Sequence, residues 1–348
     1  MVMIAINKRK VGDGNSCFII AEAGVNHNGN LKLAFKLVDA AKDAGADAVK
    51  FQTFKADNLV LKNAPQAIYQ KTNSKFKSQY EMLKSLELKY KDFIKIKERC
   101  DKRNIIFLST PFDEESALFL NQINVSAFKI GSGDFNNLPL ILKIIKFRKP
   151  IILSSGMSDL KEIKKVIGKL GKYGLRKTAL LHCVSSYPAP YCDVNLNVIK
   201  KLKSLFDFPI GFSDHTLGVH IPIAAVSIGA NIIEKHFTLD RKMQGPDHKA
   251  SLQPEEFKEM VRMIRDVETA FGEEIKKVAR SEENTLQVAR KSLVAKVSIR
   301  KGEQITSDMV VAKRPFGGID PMMIDKLIGR IAKKDIIKDS ILKWEFFK

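Results

Sequence analysis

Eight short apolar runs recur along the chain, each ending in polar or glycine residues and each followed by a helical pattern: CFIIAEAG, DAVKFQT, NIIFLST, SAFKIGSG, PIILSSG, TALLHCV, PIGFSDH and NIIEKHF. A run that is apolar at consecutive positions has both faces buried, and strands that alternate with helices pair in parallel. The helices between them are legible as LKLAFKLVDAAKDAGA, YKDFIKIKERCDKR, EESALFLNQI, LPLILKIIKF, DLKEIKKVIGKL, NLNVIKKLKSLF and HIPIAAVSIGA. A last one, PEEFKEMVRMIRDVETAFG, has Pro254 near its start and Gly272 just past its end, as helix termini prefer. Eight strands with eight helical followers is the arithmetic of an α/β fold of the (β/α)8 TIM-barrel type. An open doubly wound sheet is the rival on pattern alone.

A barrel of this kind occupies about 250 residues. The chain has 348, so a small second domain is expected. The pattern predicts a barrel over residues 1–272 and a charged linker over 273–288 (EEIKKVARSEENTLQV). Residues 289–348, with short strand-like pieces parted by turns such as RKGE and KDS, predict a compact β-rich domain. So small a domain has little core of its own and is expected to dock on something. Residues 54–90 form a long excursion after the second strand. On a barrel such connections cover the active-site face, so this one is expected to wall the pocket.

Hydrophobic residues make up 45% and charged residues 28% of the chain, the balance of a soluble globular protein. No apolar run approaches the ~18 residues of a membrane span. The start, MVMIAINKRKVGDG, does not read as a signal peptide, so a cytoplasmic location is expected. Cys17, Cys100, Cys183 and Cys192 are scattered without a CxxC and read as reduced thiols. The net charge of +20 would suit a polyanion partner. Nucleic-acid binding, however, asks for basic residues on one face with aromatics interleaved. The lysines instead spread over many helical segments, which predicts a solvated basic surface and no nucleic-acid partner.

Functional groups of a (β/α)8 barrel gather at the carboxyl ends of its strands, where this chain puts its polar residues. Strand side chains alternate faces, so Ile20, Glu22 and Gly24 share a phase, as do Lys50 with Gln52, Gly211 with Ser213 and His215, and Glu234 with His236. Lys129 precedes the small-residue turn GSGD, and the fifth run ends in LSSGM. Two lysines, several serines and glycine turns at one end of a barrel read as a cradle for phosphate or carboxylate. His215 and His236 end consecutive strands and can reach a common point. Two imidazoles suit a divalent ion such as Mn, Fe, Co or Zn acting as a Lewis acid, with water or substrate completing the shell. His27 can line the pocket or hold the VNHNGN turn, His182 can serve either purpose, and His220 and His248 fit no cluster.

Taken in order, AEAGVNHNG, KFQTFKADNL, STPFD, FKIGSGD, LSSGM, LLHC with YPAP, GFSDHT, EKHFTLD, GPDHKASL and the late KRP resemble the sialic acid synthase family. The resemblance runs over nearly the whole chain. It implies a barrel followed by an antifreeze-like (SAF) domain, in a domain-swapped homodimer where each small domain covers the partner's site. It implies condensation of phosphoenolpyruvate with an open-chain N-acylated hexosamine, N-acetylmannosamine giving N-acetylneuraminate, with release of phosphate. The legionaminate branch, which uses 2,4-diacetamido-2,4,6-trideoxymannose, is the alternative. The metal implied is Mn2+, with Mg2+ or Co2+ as substitutes. By the same resemblance Lys50, Thr110, Lys129, Ser132, Ser154 and Ser213 form the phosphoenolpyruvate site, and His215 and His236 hold the metal. Glu22 is the catalytic acid/base; Gln52, Asp134, Tyr187 and Asp247 touch the sugar; and Arg314 is the arginine that the partner's small domain supplies to the N-acyl group. Three departures bear on the sugar: Asp134 stands where some N-acetylneuraminate synthases have glutamate, KFQTF where others have KHQTH, and Ser185 near where some have asparagine.

Overall fold

The computed structural model describes residues 3–67 and 76–348, so part of the 54–90 excursion lies outside the described residues. The chain divides into two compact units, residues 1–272 and 273–348. The first opens with an antiparallel hairpin of β1 (Ile4–Ile6) and β2 (Arg9–Val11). Eight parallel strands follow: β3 (Phe18–Gly24), β4 (Ala48–Thr53), β5 (Ile106–Pro111), β6 (Phe128–Ile130), β7 (Ile151–Ser154), β8 (Thr178–Cys183), β9 (Ile210–Asp214) and β10 (Ile232–His236). Their order in the sheet is β5-β4-β3-β10-β9-β8-β7-β6, and β5 packs beside the three-residue β6 without a ladder. This is the (β/α)8 TIM barrel that the eight runs predict.

Alternation along the strands sorts their side chains into two cores. Outward residues such as Ile19, Val49, Phe107, Phe128, Leu153, Leu180, Phe212 and Ile233 pack in one buried layer with Leu37, Phe93, Ile141 and Phe257 from the surrounding helices. Inward residues Phe18, Ile20, Ala48, Leu108, Ala127, Ile152, Ala179, Leu181 and Ile232 fill the amino-terminal half of the barrel. Ile4, Ile6 and Val11 of the hairpin join this inner cluster and close the barrel floor. The sequence reading does not anticipate that hairpin, because three-residue strands carry no period. Gly211 belongs to the same layer: a Cβ there would stand 2.5 Å from Leu181 Cδ2 and 2.6 Å from Ile232 O, so only glycine fits. The inward phase is therefore apolar below and free to be polar above.

The main helices begin and end as their sequences dictate. Asn30 caps Leu31–Asp43 by accepting from the amides of Lys32 and Leu33. Pro254–Phe271 carries a capping box between Gln253 and Glu256 and stops at Gly272, whose φ is 53°. None of the helices among the described residues is long and apolar enough to cross a membrane. The second unit holds one antiparallel pair, β11 (Ser292–Ala295) with β12 (Val310–Lys313), extended by isolated bridges such as Ile299 to Ile336 and Ala332 to Phe347. Leu293, Ile299, Ile305, Leu327, Leu342 and Phe347 make its core. Within the segment expected as linker, Glu283–Ala289 forms a helix with no buried residue.

Candidate active site

Above the apolar floor, the last inward residues of the strands converge on one cavity of about 490 Å³. Glu22, Lys50, Gln52, Thr110, Lys129 and Ser154 line one side, and Cys183, Ser213, His215, Glu234 and His236 the other. Strand register explains the meeting: Glu22 lies beside Lys50 on one neighbour and His236 on the other. Ser132, Tyr187 and Asp247 enter from loops, and the excursion after β4 supplies a wall including Leu59, Val60, Met82, Leu83 and Leu86.

Two buried lysines are set on either side of Glu234. Lys50 Nζ lies 3.7 Å from Glu234 Oε2 and Lys129 Nζ lies 3.6 Å from Oε1. Ser213 donates to Glu234 Oε1 at 3.0 Å, and Lys129 donates to Ser154 Oγ at 2.6 Å and to the Ile130 carbonyl. Lys50 also pairs with Glu22 Oε2 at 2.7 Å and donates to Thr110 Oγ1 at 3.2 Å, while Gln52 donates to Glu22 Oε1 at 3.0 Å. The two carboxylates titrate in opposite directions. Burial raises Glu22 and the neighbouring Glu234 adds to the rise, against the pull of Lys50. Burial also works against a charged Glu234, but Lys129, Lys50 and the Ser213 hydroxyl hold it below its ordinary value. Carboxylates driven apart in this way divide proton transfer from electrostatic support. Burial lowers Lys129 despite Glu234, whereas Lys50, facing both carboxylates, is raised.

Across the cavity the imidazoles of His215 and His236 stand with ring centroids 5.3 Å apart, and the Tyr187 ring packs 4.2 Å from His215 and 5.6 Å from His236. His215 Nδ1 bonds the Val184 carbonyl at 2.7 Å, the second bond that metal-binding histidines usually carry, which leaves Nε2 available to a ligand. His236 Nδ1 is buried without a hydrogen bond, 3.8 Å from Asp247 Oδ2. Burial and the nearby His215 hold His236 well below its ordinary value, in the neutral form a metal requires. Among the described residues no group of three His, Cys, Asp or Glu side chains is placed to hold a metal ion. Two imidazoles would leave the rest of a bound ion's shell to water and substrate.

Burial, reinforced by Glu22, pushes Asp247 up to about 7 from its ordinary 3.8, against the pull of His215 and Lys50. A folded-state value above the unfolded one means that the native state keeps its proton longer, so stability falls as pH rises through this interval and the full penalty applies above it. Asp247→Asn removes that titration. Denaturant melts in EDTA should show the variant gaining about 2–4 kcal/mol on the wild type at pH 8 and almost nothing at pH 4. An equal gain at both pH values contradicts the assignment.

Most residues singled out in the sequence reach this cavity. Asp134 is a departure: it ends the turn Ser132–Asp134, accepts from Asn137 Nδ2 at 2.8 Å and is not among the lining residues. Arg314 lies exposed in the second unit, directly after β12. His27 accepts from the Gly29 amide at 3.0 Å and does not line the cavity, so it holds the turn that follows Glu22. His182 points outward from the barrel, bonded to the Val194 carbonyl, and His248 bonds Thr238 and Asn28. The sequence reading set Glu234 on the inward phase without giving it a role, and took Cys183 for an ordinary thiol. Cys183 Sγ lies 3.8 Å from His215 Nδ1 and 3.5 Å from Ser132 Oγ. Its spacing of two from the inward Leu181 was the available signal.

Comparison with known proteins covers both units. A family model described as the NeuB family matches residues 37–276, and one described as the SAF domain matches residues 290–348. The N,N'-diacetyllegionaminic acid synthase of Campylobacter jejuni is 48% identical over 93% of this chain and 98% of its own length. The N-acetylneuraminate-9-phosphate synthase of Homo sapiens is 37% identical over 97% of this chain and 94% of its own. The crystal structure of N-acetylneuraminic acid synthetase from Leptospira borgpetersenii, 37% identical, superposes with a TM-score of 0.72 over 82% of this chain and 95% of that one.

Proposed function

The chain belongs to the NeuB family, and from that premise we propose that this sugar-acid synthase joins phosphoenolpyruvate to 2,4-diacetamido-2,4,6-trideoxymannose, giving N,N'-diacetyllegionaminate and phosphate. The reaction class rests on one observation above all: two buried lysines, a carboxylate poised for proton transfer and a pair of imidazoles face one cavity. The sugar rests on two others. The legionaminic acid synthase relative is nearer in sequence than the neuraminate-9-phosphate synthase, and the wall of Leu59, Val60, Met82, Leu83 and Leu86 suits a 6-methyl group better than a 6-hydroxyl.

Lys50 and Lys129, with Thr110, Ser132, Ser154 and Ser213, bind the phosphate and carboxylate of phosphoenolpyruvate, while Glu234 holds the two ammonium groups apart and charged. Gln52, Tyr187 and Asp247 bind the sugar. Arg314, supplied by the small domain of a second copy in a homodimer, meets the N-acyl group. His215 and His236 hold a divalent ion, Mn2+ first among candidates; when bound, it supplies Lewis-acid polarisation of the sugar aldehyde. The methylene carbon of phosphoenolpyruvate attacks the aldehyde carbon, and Glu22 gives its proton to the new alkoxide. The same carboxylate then takes a proton from the water that adds at C2, and the tetrahedral intermediate breaks its C2–O bond to phosphate, the C2 hydroxyl proton leaving with the phosphate as the keto group forms. Holding both reactants in line contributes up to about 7–11 kcal/mol at ideal alignment.

Phosphate release should be measured with Mn2+ and, in turn, the diacetamido sugar, N-acetylmannosamine and N-acetylmannosamine 6-phosphate. We expect the diacetamido sugar to exceed the others in kcat/KM by at least about tenfold, the discrimination of roughly 1.4 kcal/mol that one or two group contacts provide. Preference for N-acetylmannosamine reassigns the sugar, whereas no phosphate release with any of the three overturns the reaction.

A further inference from the structure

At the opposite, amino-terminal face of the barrel a second cavity of about 620 Å³ opens beside the starts of β7 and β8. Lys146, Arg148, Lys149, Arg176 and Lys177 line it together with Tyr173, and no carboxylate does. The first unit contains eight arginines. Arg9, Arg99, Arg103, Arg241, Arg262 and Arg265 each pair with a carboxylate. Arg148 and Arg176, which have no such partner among the described residues, both line this cavity. Residues 143–177 hold eleven lysines and arginines against two acids. An adjoining depression, sharing Tyr173, continues the basic surface with Lys164, Lys165, Lys169 and Lys172. Nine of the chain's 59 lysines and arginines thus line these two adjoining depressions.

Like charges packed without counter-charge repel one another, and an anion bound among them relieves that cost. Arg148 and Lys177 also hold left-handed backbone, with φ of 56° and 47°, where glycine or asparagine is cheaper, yet both positions carry cations. Arginine forks match phosphate oxygens two at a time, and the cavity is within the usual range for small ligands. The Tyr173 ring, 53% exposed, offers a face on which a base can stack, with Ile145 and Leu175 as apolar neighbours. We propose that this cavity binds a nucleoside polyphosphate, its phosphates on Arg148 and Arg176 and its base against Tyr173.

The probe is ATP, titrated calorimetrically into the full chain with phosphoenolpyruvate present so that the cavity at the other end of the barrel is filled. Wild type should bind with a Kd below about 1 mM. Arg148→Glu with Arg176→Glu should weaken binding at least about tenfold, while Lys36→Glu with Lys91→Glu, the same charge change on exposed helical positions elsewhere, should alter it less than about twofold. Inorganic triphosphate should compete and AMP should compete poorly. Melting curves and basal phosphate release confirm that the variants are folded. The proposal fails if ATP gives no binding at about 1 mM, or if both double variants weaken it alike. It also fails if ATP affinity survives in the arginine variant, which would place it at another site, or if a short RNA binds and ATP cannot displace it.

Discussion

Glu22→Gln is expected to leave the fold and phosphoenolpyruvate binding intact while cutting phosphate release by about 10²–10⁴, the range for losing a positioned general acid–base. Glutamine keeps the size of the side chain and its contact with Gln52, but it neither gives nor accepts the proton. Burial and Glu234 raise the Glu22 carboxyl against the pull of Lys50, the direction that favours its holding a proton for the alkoxide. Lys50 keeps a carboxylate partner in the variant, since Glu234 remains 3.7 Å away, so its ammonium stays charged for the anion. The measurement is kcat and KM for both substrates with a melting curve alongside. A fall in kcat at unchanged melting temperature and unchanged KM for phosphoenolpyruvate is the expected signature. Near-normal turnover removes Glu22 from the proton transfers, and a raised KM with normal kcat makes it a binding group.

The barrel and most of this site were legible because strand alternation is rigid. Once Ile20 and Ala48 are assigned to the interior, Glu22 and Lys50 must follow at the next inward places. The same rule would have turned His182 outward, because it sits one residue from the inward Leu181. Relations across the barrel are a different matter. That Glu234 spans two lysines depends on three strands meeting, and no single segment encodes it. Strand alternation does not place Asp134, because it sits on a tight turn where Asn137 three residues on donates to its carboxylate. The amino-terminal hairpin was hidden by length: two strands of three residues show no period, although Ile4, Ile6 and Val11 close the barrel floor. The basic face was hidden by topology, since helical periodicity marks the lysines as exposed without saying which segments become neighbours.

Lys235→Met is expected to destabilise the protein by about 3–5 kcal/mol, the cost of leaving a buried charge without its partner. Lys235 lies on the outward phase between Glu234 and His236, and neither its side chain nor that of Asp214 is reached by solvent. Its ammonium bonds Asp214 Oδ2 and the Thr216 carbonyl. Asp214 in turn accepts from the Thr216 amide at 2.9 Å and its hydroxyl at 3.2 Å. The network therefore fixes the backbone on both sides of His215 from behind the barrel wall. Its role is positional as well as electrostatic, and a second variant separates the two. Asp214→Leu with Lys235→Met removes both charges, which for a buried pair is often neutral or stabilising. The double variant should therefore recover much of the lost stability. It should remain at least about tenfold weaker in Mn2+ affinity and turnover, as when outer partners of a ligand histidine are lost. Denaturant melts and Mn2+ titration on the same samples provide the two readouts. If the double variant regains stability, metal affinity and turnover together, the pair is only a charge balance; if it regains stability alone, the outward side of β9 and β10 holds the histidine in place.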